Sequence, residues 1–156
     1  MVVKLTAIKA KGTRLTVDKV RRVVKEALDD VSSDVLRDFV ETTESWNHKP
    51  VFQRRATVDG VEVYTDDEIF RFVDLGTKPH DIYPRNAPRL RFQSQYTAKT
   101  TPGNIASRSG GKSGPFVFAK KVRHPGFEGR KFTETIMRRR QALLKKRIDD
   151  GLSKIV

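Results

Sequence analysis

One long amphipathic stretch decides the fold of this chain. Residues 17–39 read VDKVRRVVKEALDDVSSDVLRDF. Apolar residues recur there three and four positions apart, the spacing that lines up one face of an α-helix. They are Val17, Val20, Val24, Leu28, Val31, Val35 and Phe39. Thr16 is a suitable N-cap, and residues 47–50 end the pattern with a proline. The sequence therefore predicts a long helix with one face on a core and with Asp29 and Asp30 pointing outward.

Two short apolar segments follow the helix. Residues 51–58 and 61–64 flank Asp59 and Gly60, a dipeptide that readily adopts the positive φ angles of a two-residue type I′ turn. We therefore predict a β-hairpin. At the N-terminus, residues 4–10 alternate loosely and fit either an edge strand or the start of a helix.

A second, shorter helix is predicted over residues 66–75, with a strand as the alternative. Thr65 and Glu68 have the spacing of a capping box, in which a hydroxyl and a carboxylate each satisfy a free backbone N–H group. Apolar residues at 69, 72 and 73 share one helical face. Gly76 stands where a left-handed C-cap would end the helix.

The segment after Gly76 has few signals of regular structure. Prolines at positions 79, 84 and 88 indicate an extended path that cannot be a central strand, and residues 90–92 fit a short strand. Residues 93–114 are polar and rich in Gly, Ser and Thr, without any period, so they predict a long basic loop that is disordered or binds a partner. Residues 115–123 again have the composition of a strand.

The C-terminal part predicts a third helix. Its apolar residues are Phe132, Ile136, Leu143, Leu144, Ile148, Leu152 and Ile155, and its outward cations are Arg138, Arg139, Arg140, Lys145, Lys146 and Arg147. We expect the helices and strands to form one domain over residues 1–156.

Charge is concentrated in the middle of the chain. The 156 residues include 32 Lys and Arg against 19 Asp and Glu, a net charge of +13. Residues 76–131 alone hold 12 basic and 2 acidic side chains, a net +10, whereas residues 1–75 are nearly balanced with 13 and 14. Such a local excess predicts contact with an acidic partner.

Several chemistries find no support in the residues. With no cysteine and three histidines in distant segments, neither a disulfide framework nor a zinc site is expected. Residues 110–113 (GGKS) resemble the end of a phosphate-binding loop, but the required earlier glycine is Ala106 and Pro115 follows instead of a helix. No serine sits on a strand–turn–helix elbow. We expect no catalytic residues, no cofactor and no metal, and neither a secretory signal nor a membrane span.

The aromatic residues of the basic segment allow two interpretations. They are Tyr83, Phe92, Tyr96, Phe116 and Phe118. Interleaved with Lys and Arg, they could stack nucleic-acid bases while the cations contact phosphates. Alternatively, they alternate into the core, which we expect for Phe116 and Phe118. Because no sequence-reading motif is present, any nucleic-acid contact would be with the backbone.

Three short motifs follow one another in a fixed order. Residues 69–80 read IFRFVDLGTKPH, residues 90–92 read LRF, and residues 117–126 read VFAKKVRHPG. This set resembles the neck proteins of long-tailed bacteriophages, which are the head–tail joining or tail-completion (minor tail) proteins. The order and spacing of the motifs are similar to the family pattern over about two thirds of the chain. Arg130 and Lys131 stand before Phe132, where the family has Pro-Phe at the start of its last helix.

The resemblance implies an α+β fold, in which an antiparallel β-sheet packs with a long N-terminal helix, a short middle helix and a C-terminal helix. It also implies a non-enzymatic virion structural protein. Such a protein would assemble as a hexameric ring between the portal-connector or stopper proteins and the tail-terminator or tail-tube proteins, with non-specific contact to packaged DNA. Its turns would be formed by Gly76, Thr77, His124, Pro125 and Gly126. The docking cations for a partner or DNA would be Arg85, Arg89, Arg91, Lys112, Lys120, Lys121 and Arg123. The alternative is a small basic nucleic-acid-binding protein that contacts the phosphate backbone.

Overall fold

The computed structural model describes residues 16–58, 60–105 and 109–155, so the ambiguous segment 4–10 lies outside the described residues. The helices are α1 (Val17–Thr43), α2 (Glu68–Leu75) and α3 (Phe132–Ser153). The strands are β1 (Gln53–Thr57), β2 (Gly60–Tyr64), β3 (Gly76–Thr77), β4 (His80–Ile82), β5 (Leu90–Thr97), β6 (Gly111–Ala119), β7 (Val122–His124) and β8 (Phe127–Glu128). The α+β class with long, short and C-terminal helices is confirmed. Within the described ranges the antiparallel strands form four two-stranded sheets.

The first helix begins where its sequence predicts. The Thr16 hydroxyl accepts a hydrogen bond from the Lys19 N–H at 3.4 Å, and the helix continues for 27 residues. It ends at Thr43, before the predicted stop at residues 47–50. The hydroxyls of Thr42 and Thr43 donate to the carbonyls of Asp38 and Phe39 in the last turn, at 2.6 and 3.1 Å.

The core lies between the three helices. Its buried residues are Val31, Val35, Phe39, Phe70, Phe132 and Ile136. Helices α1 and α3 run antiparallel, since Arg140 contacts Asp38 and Gly151 lies against Val23. Val17, expected in the apolar stripe, is 71% exposed because α3 ends before it could cover the first turn of α1.

The predicted hairpin forms, but Gly60 is not one of its turn residues. β1 and β2 pair antiparallel, and Thr57 is opposite Gly60, so the prediction that Gly60 lies in the turn is wrong. Gly60 is a strand residue, and Asp59 is outside the described residues. The hairpin contributes Val63 and the preceding Phe52 to the edge of the core.

The middle helix ends at Leu75 as predicted, but it begins at Glu68 instead of residue 66. Its N-cap is Asp67, whose carboxylate accepts from the Phe70 N–H at 2.6 Å, while the Thr65 hydroxyl accepts from the Asp67 N–H at 3.2 Å. The predicted capping box and the start at residue 66 are therefore wrong, because the carboxylate of Asp67 occupies the capping position. Gly76 ends the helix with φ +84° and ψ 178°, so positive φ is confirmed, but the chain continues extended instead of left-handed.

Residues 76–97 and 111–128 form one interrupted antiparallel ribbon, named here the basic ribbon. β3 pairs with β8, β4 with β7, and β5 with β6. The predicted loop at 93–114 is therefore wrong at both ends. Residues 93–97 and 111–114 are strand, and the described residues between them, 98–105 and 109–110, belong to no helix or strand. The strands extend the predicted segments 90–92 and 115–123, of which the latter breaks between Ala119 and Val122.

The chain that follows the far end of the basic ribbon returns toward the helices. At the base of the ribbon Gly76 pairs with Glu128, and beyond its far strand the Gly103 N–H donates to the Arg130 carbonyl at 2.9 Å. Lys99 also donates to the Ser45 carbonyl at 2.7 Å. Both ends of segment 77–103 thus lie on the helical body. The break between the two halves falls at residues 83–89, seven residues that face only 120 and 121 across the ribbon.

Candidate docking surface

The turn residues of the family-like motifs meet at the base of the basic ribbon. Gly126 has φ +78°, and a Cβ atom there would lie 2.3 Å from the Thr77 carbonyl oxygen. The Gly126 N–H donates to His124 Nδ1 at 3.0 Å, and the His124 ring stacks on His80 at 5.1 Å between centroids. Segments 76–80 and 124–128, far apart in sequence, thus pack backbone to backbone. Residues 124–126 lead into β8 before the last helix begins.

The seven predicted docking cations are all exposed on or beside the basic ribbon. Arg85, Arg89, Lys120 and Lys121 belong to the break between its halves, and Arg91 and Arg123 lie on the adjoining strands. Lys112 is separate: it pairs with Tyr96, five residues along β5 from Arg91, or about 17 Å at 3.3 Å per residue. Six of the seven thus lie at or next to the break between the two halves of the ribbon.

Two of these cations have an acidic partner. Asp81 contacts Lys121 at 2.8 Å and Arg123 at 3.4 Å. The hydrogen bond from Lys121 holds the pKa of the Asp81 carboxyl below its ordinary value, and the same bond raises the pKa of Lys121. The other five cations make no ion pair with any residue in the described ranges. Their charge is therefore available to a partner.

Aromatic residues of the basic ribbon face solvent. Phe116 and Phe118 are 53% and 57% exposed, so the expectation that they enter the core is wrong. Both rings share a face with Arg91, which is opposite Phe118 and places its guanidinium 3.8 Å from the Phe116 ring centre. Phe92 and Val117, on the other face, are exposed as well. The ribbon therefore presents apolar surface on both sides.

An open pocket of about 460 Å³ lies beside α2. Its apolar lining includes Phe39, Phe52, Val63, Phe70 and Leu75, and its acidic lining includes Asp66, Asp67 and Glu68. Asp67 is engaged by His48. Partial burial favours its neutral form, but the hydrogen bonds from the Phe70 N–H and His48 outweigh this and lower its pKa. Asp66 and Glu68 are exposed and have no ion-pair partner among the residues the structure describes.

An ion-pair network between α1 and α3 was not predicted. Arg140 donates from Nε and Nη2 to the carboxylate of Asp38 at 2.7 and 2.5 Å, and Arg147 lies 3.0 Å from Asp34. The prediction that Arg140 and Arg147 point outward is therefore wrong. The sequence does contain a sign of this network, because Asp34 and Asp38 lie on the same helical face as the core residues Val31 and Val35. Carboxylates on a buried face require cations from a facing element.

Asp74 supports the start of α3, a role that was not predicted. The N-cap residue itself, Lys131, is left-handed (φ +57°), and its side chain makes no capping hydrogen bond. Asp74 replaces the cap: its carboxylate accepts from the Thr133 N–H at 3.1 Å and from the Thr133 hydroxyl at 2.7 Å. The last helix therefore starts without the family-like proline because a carboxylate from α2 satisfies its free N–H group.

No three His, Asp or Glu residues within 16–58, 60–105 and 109–155 are placed to hold a metal ion. None of the helices described is both long and apolar enough to cross a lipid bilayer. Comparison with protein-family models, with curated proteins and with solved structures gives no match.

Proposed function

We propose that this chain is a non-enzymatic virion structural protein of the neck of a tailed bacteriophage. It joins head to tail and completes the tail end as one subunit of a ring. The basic ribbon is the observation that carries the proposal. An isolated two-stranded ribbon is at best marginally stable in water, and this one exposes apolar side chains on both faces. Such a surface is suited to burial in an assembly.

The expected partners follow from the resemblance and from the charge. Six copies would form the ring, with portal-connector or stopper proteins on one side and tail-terminator or tail-tube proteins on the other. The unpaired cations Arg85, Arg89 and Lys120 at the ribbon break would contact an acidic face of a neighbouring ring or the backbone of passing DNA. Assembly would take place in the bacterial cytoplasm.

Electron microscopy of virus particles tests this proposal. In the phage that encodes the chain, antibody labelling should place it in the neck, and deletion of its gene should leave separate heads and tails. The triple variant Arg85→Glu, Arg89→Glu, Lys120→Glu should reproduce the separation. Lys145→Glu with Lys146→Glu, two exposed cations of α3, is the matched control and should leave particles joined. Joined particles after gene deletion would refute the proposal.

A backbone-binding nucleic-acid protein is the second candidate. The same exposed cations support it, together with the Arg91 guanidinium stacked on Phe116. Titration with duplex DNA over a range of salt concentrations separates the two functions. A dedicated binder should lose affinity with a log–log slope of about −0.9 per phosphate contacted, and the triple variant should reduce that slope by about 2 to 3. A neck subunit should bind free DNA feebly at every salt concentration.

A further inference from the structure

Two surfaces of this chain are complementary to each other. The ribbon face formed by Arg91, Phe116 and Phe118 is cationic and aromatic. The pocket beside α2 is acidic at Asp66 and Glu68 and apolar at its aromatic residues. Its volume of about 460 Å³ is in the ordinary range of about 300–1,000 Å³ for ligand pockets, so it can receive side chains the size of Phe.

The ribbon does not fill the pocket of its own chain. Its base is held where Gly76 pairs with Glu128, and the segment that follows β5 is held where the Gly103 N–H donates to the Arg130 carbonyl. In this arrangement Phe116 and Phe118 remain more than half exposed while the pocket stays open. Each surface therefore lacks a partner within the described residues, although each has the chemistry that the other needs. A second copy of the chain can supply both.

We propose that the ribbon face of one copy docks into the α2 pocket of the next. Phe116 and Phe118 would pack against the apolar lining, and Arg91 would approach Asp66 and Glu68. The contact joins two different surfaces, so it is heterologous and can propagate around a closed ring. It deepens the proposed function, on which it rests, by naming the contact between ring subunits.

Disulfide trapping tests the contact directly, because the chain contains no cysteine. The variant Gln93→Cys places a thiol on the ribbon face, opposite Phe116, and Arg71→Cys places one at the exposed rim of the pocket. When the two proteins are mixed under mild oxidation, the mixed disulfide should form faster than either homodisulfide. Lys145→Cys is the matched control for the pocket position. It is exposed and lies 12 residues along α3 from Thr133 of the pocket lining, or about 18 Å.

A charge reversal and its rescue test whether the charges guide docking. Adding Arg91→Glu to the ribbon protein should slow cross-linking about tenfold, as expected when complementary charge is lost. Adding Asp66→Lys to the pocket protein should then restore the rate. Circular dichroism of each variant would verify that the helices are intact. Equal cross-linking of the pocket and control pairs, or no rescue, would overturn the proposed contact.

The contact between copies and the function in the neck can be refuted independently of each other. If cross-linking fails but the chain is found in the neck, the contact is wrong and the proposed function stands. If the mixed disulfide forms but the chain is absent from the neck, self-association is real and the neck function is wrong. If the ribbon variant binds duplex DNA tightly and does not cross-link, the ribbon is a nucleic-acid surface and the docking proposal is overturned.

Discussion

Asp38 and Arg140 form a two-pronged ion pair across the α1–α3 interface, although 102 positions separate them in sequence. The Asp38 side chain is 4% exposed and that of Arg140 is 14% exposed. The hydrogen bond with Asp38 raises the pKa of Arg140 despite its burial, so the guanidinium remains charged. The pair is therefore a fixed element of the helical interface, unlike the solvated cations of the ribbon.

Removal of one partner should destabilise the protein more than removal of both. Asp38→Leu leaves the largely buried guanidinium of Arg140 with its longer contact to Asp34 at 3.5 Å. This change should lower the free energy of unfolding by about 3–5 kcal/mol. The double variant Asp38→Leu, Arg140→Met should recover most of this loss. Urea denaturation measures both. Equal losses in the single and double variants would show that the pair has no special role.

The carboxylate of Asp74 should matter more than that of an exposed acid. Asp74→Ala removes the acceptor for the Thr133 N–H and hydroxyl, and losing a helix cap costs about 0.5–2 kcal/mol. Asp66→Ala, on the same side of the molecule but exposed, should change stability by less than about 0.5 kcal/mol. Thermal unfolding of the two variants compares them. A null effect at Asp74 would mean that water caps α3 equally well.

Gly126 and Gly103 form a matched pair for separating backbone strain from steric clash. Both have positive φ, +78° and +73°, but a Cβ atom meets the Thr77 carbonyl at 2.3 Å in one case and nothing within 4 Å in the other. Gly103→Ala should therefore cost only the left-handed penalty, about 1–2 kcal/mol. Gly126→Ala should cost clearly more and should disturb the His80–His124 stack. NMR spectra of the two histidines would report the disturbance, and equal costs would contradict the close approach.

The Asp81–Lys121 pair should give a pH-dependent contribution to stability. The folded pKa of Asp81 lies below its ordinary 3.8, so its contribution is present above about pH 4 and is lost as pH falls through the folded pKa. The folded pKa of Lys121 lies above its ordinary 10.5, so its contribution is lost only as pH rises beyond that value. In Lys121→Met, the Asp81 carboxyl resonance should titrate at higher pH than in the original chain. An unchanged titration would exclude Lys121 as the cause.

Helices with one buried face and hairpins with typical turn residues were predictable from the sequence. The 3.6-residue stripe located α1 and α3, and the turn residues located the β1–β2 hairpin. The basic ribbon was missed over 93–97 and 111–114 because period-two alternation arises only where one face of a strand is buried. Both faces of this ribbon are exposed, so its strands carry no such pattern.

Contacts between distant segments were beyond the reach of sequence patterns. The cap that Asp74 provides for α3 joins residues 59 positions apart, and local spacing does not encode it. For Arg140 the sequence contained half of the information. Carboxylates on the buried face of α1 require cations from a facing element, but local spacing does not show that Arg140 is one of these cations. The seven candidate cations are exposed, and two of them pair with Asp81. Their role in docking stays a prediction.

Strand pairing at the base of the ribbon also affects how the chain folds. Asp74 can meet Thr133 only after the intervening segment has closed, and the entropic cost of closure grows with the number of free residues. Pairing of Gly76 with Glu128 reduces that free segment to a few residues. Once this strand pairing has formed, α2 and the start of α3 can therefore come together at little further entropic cost.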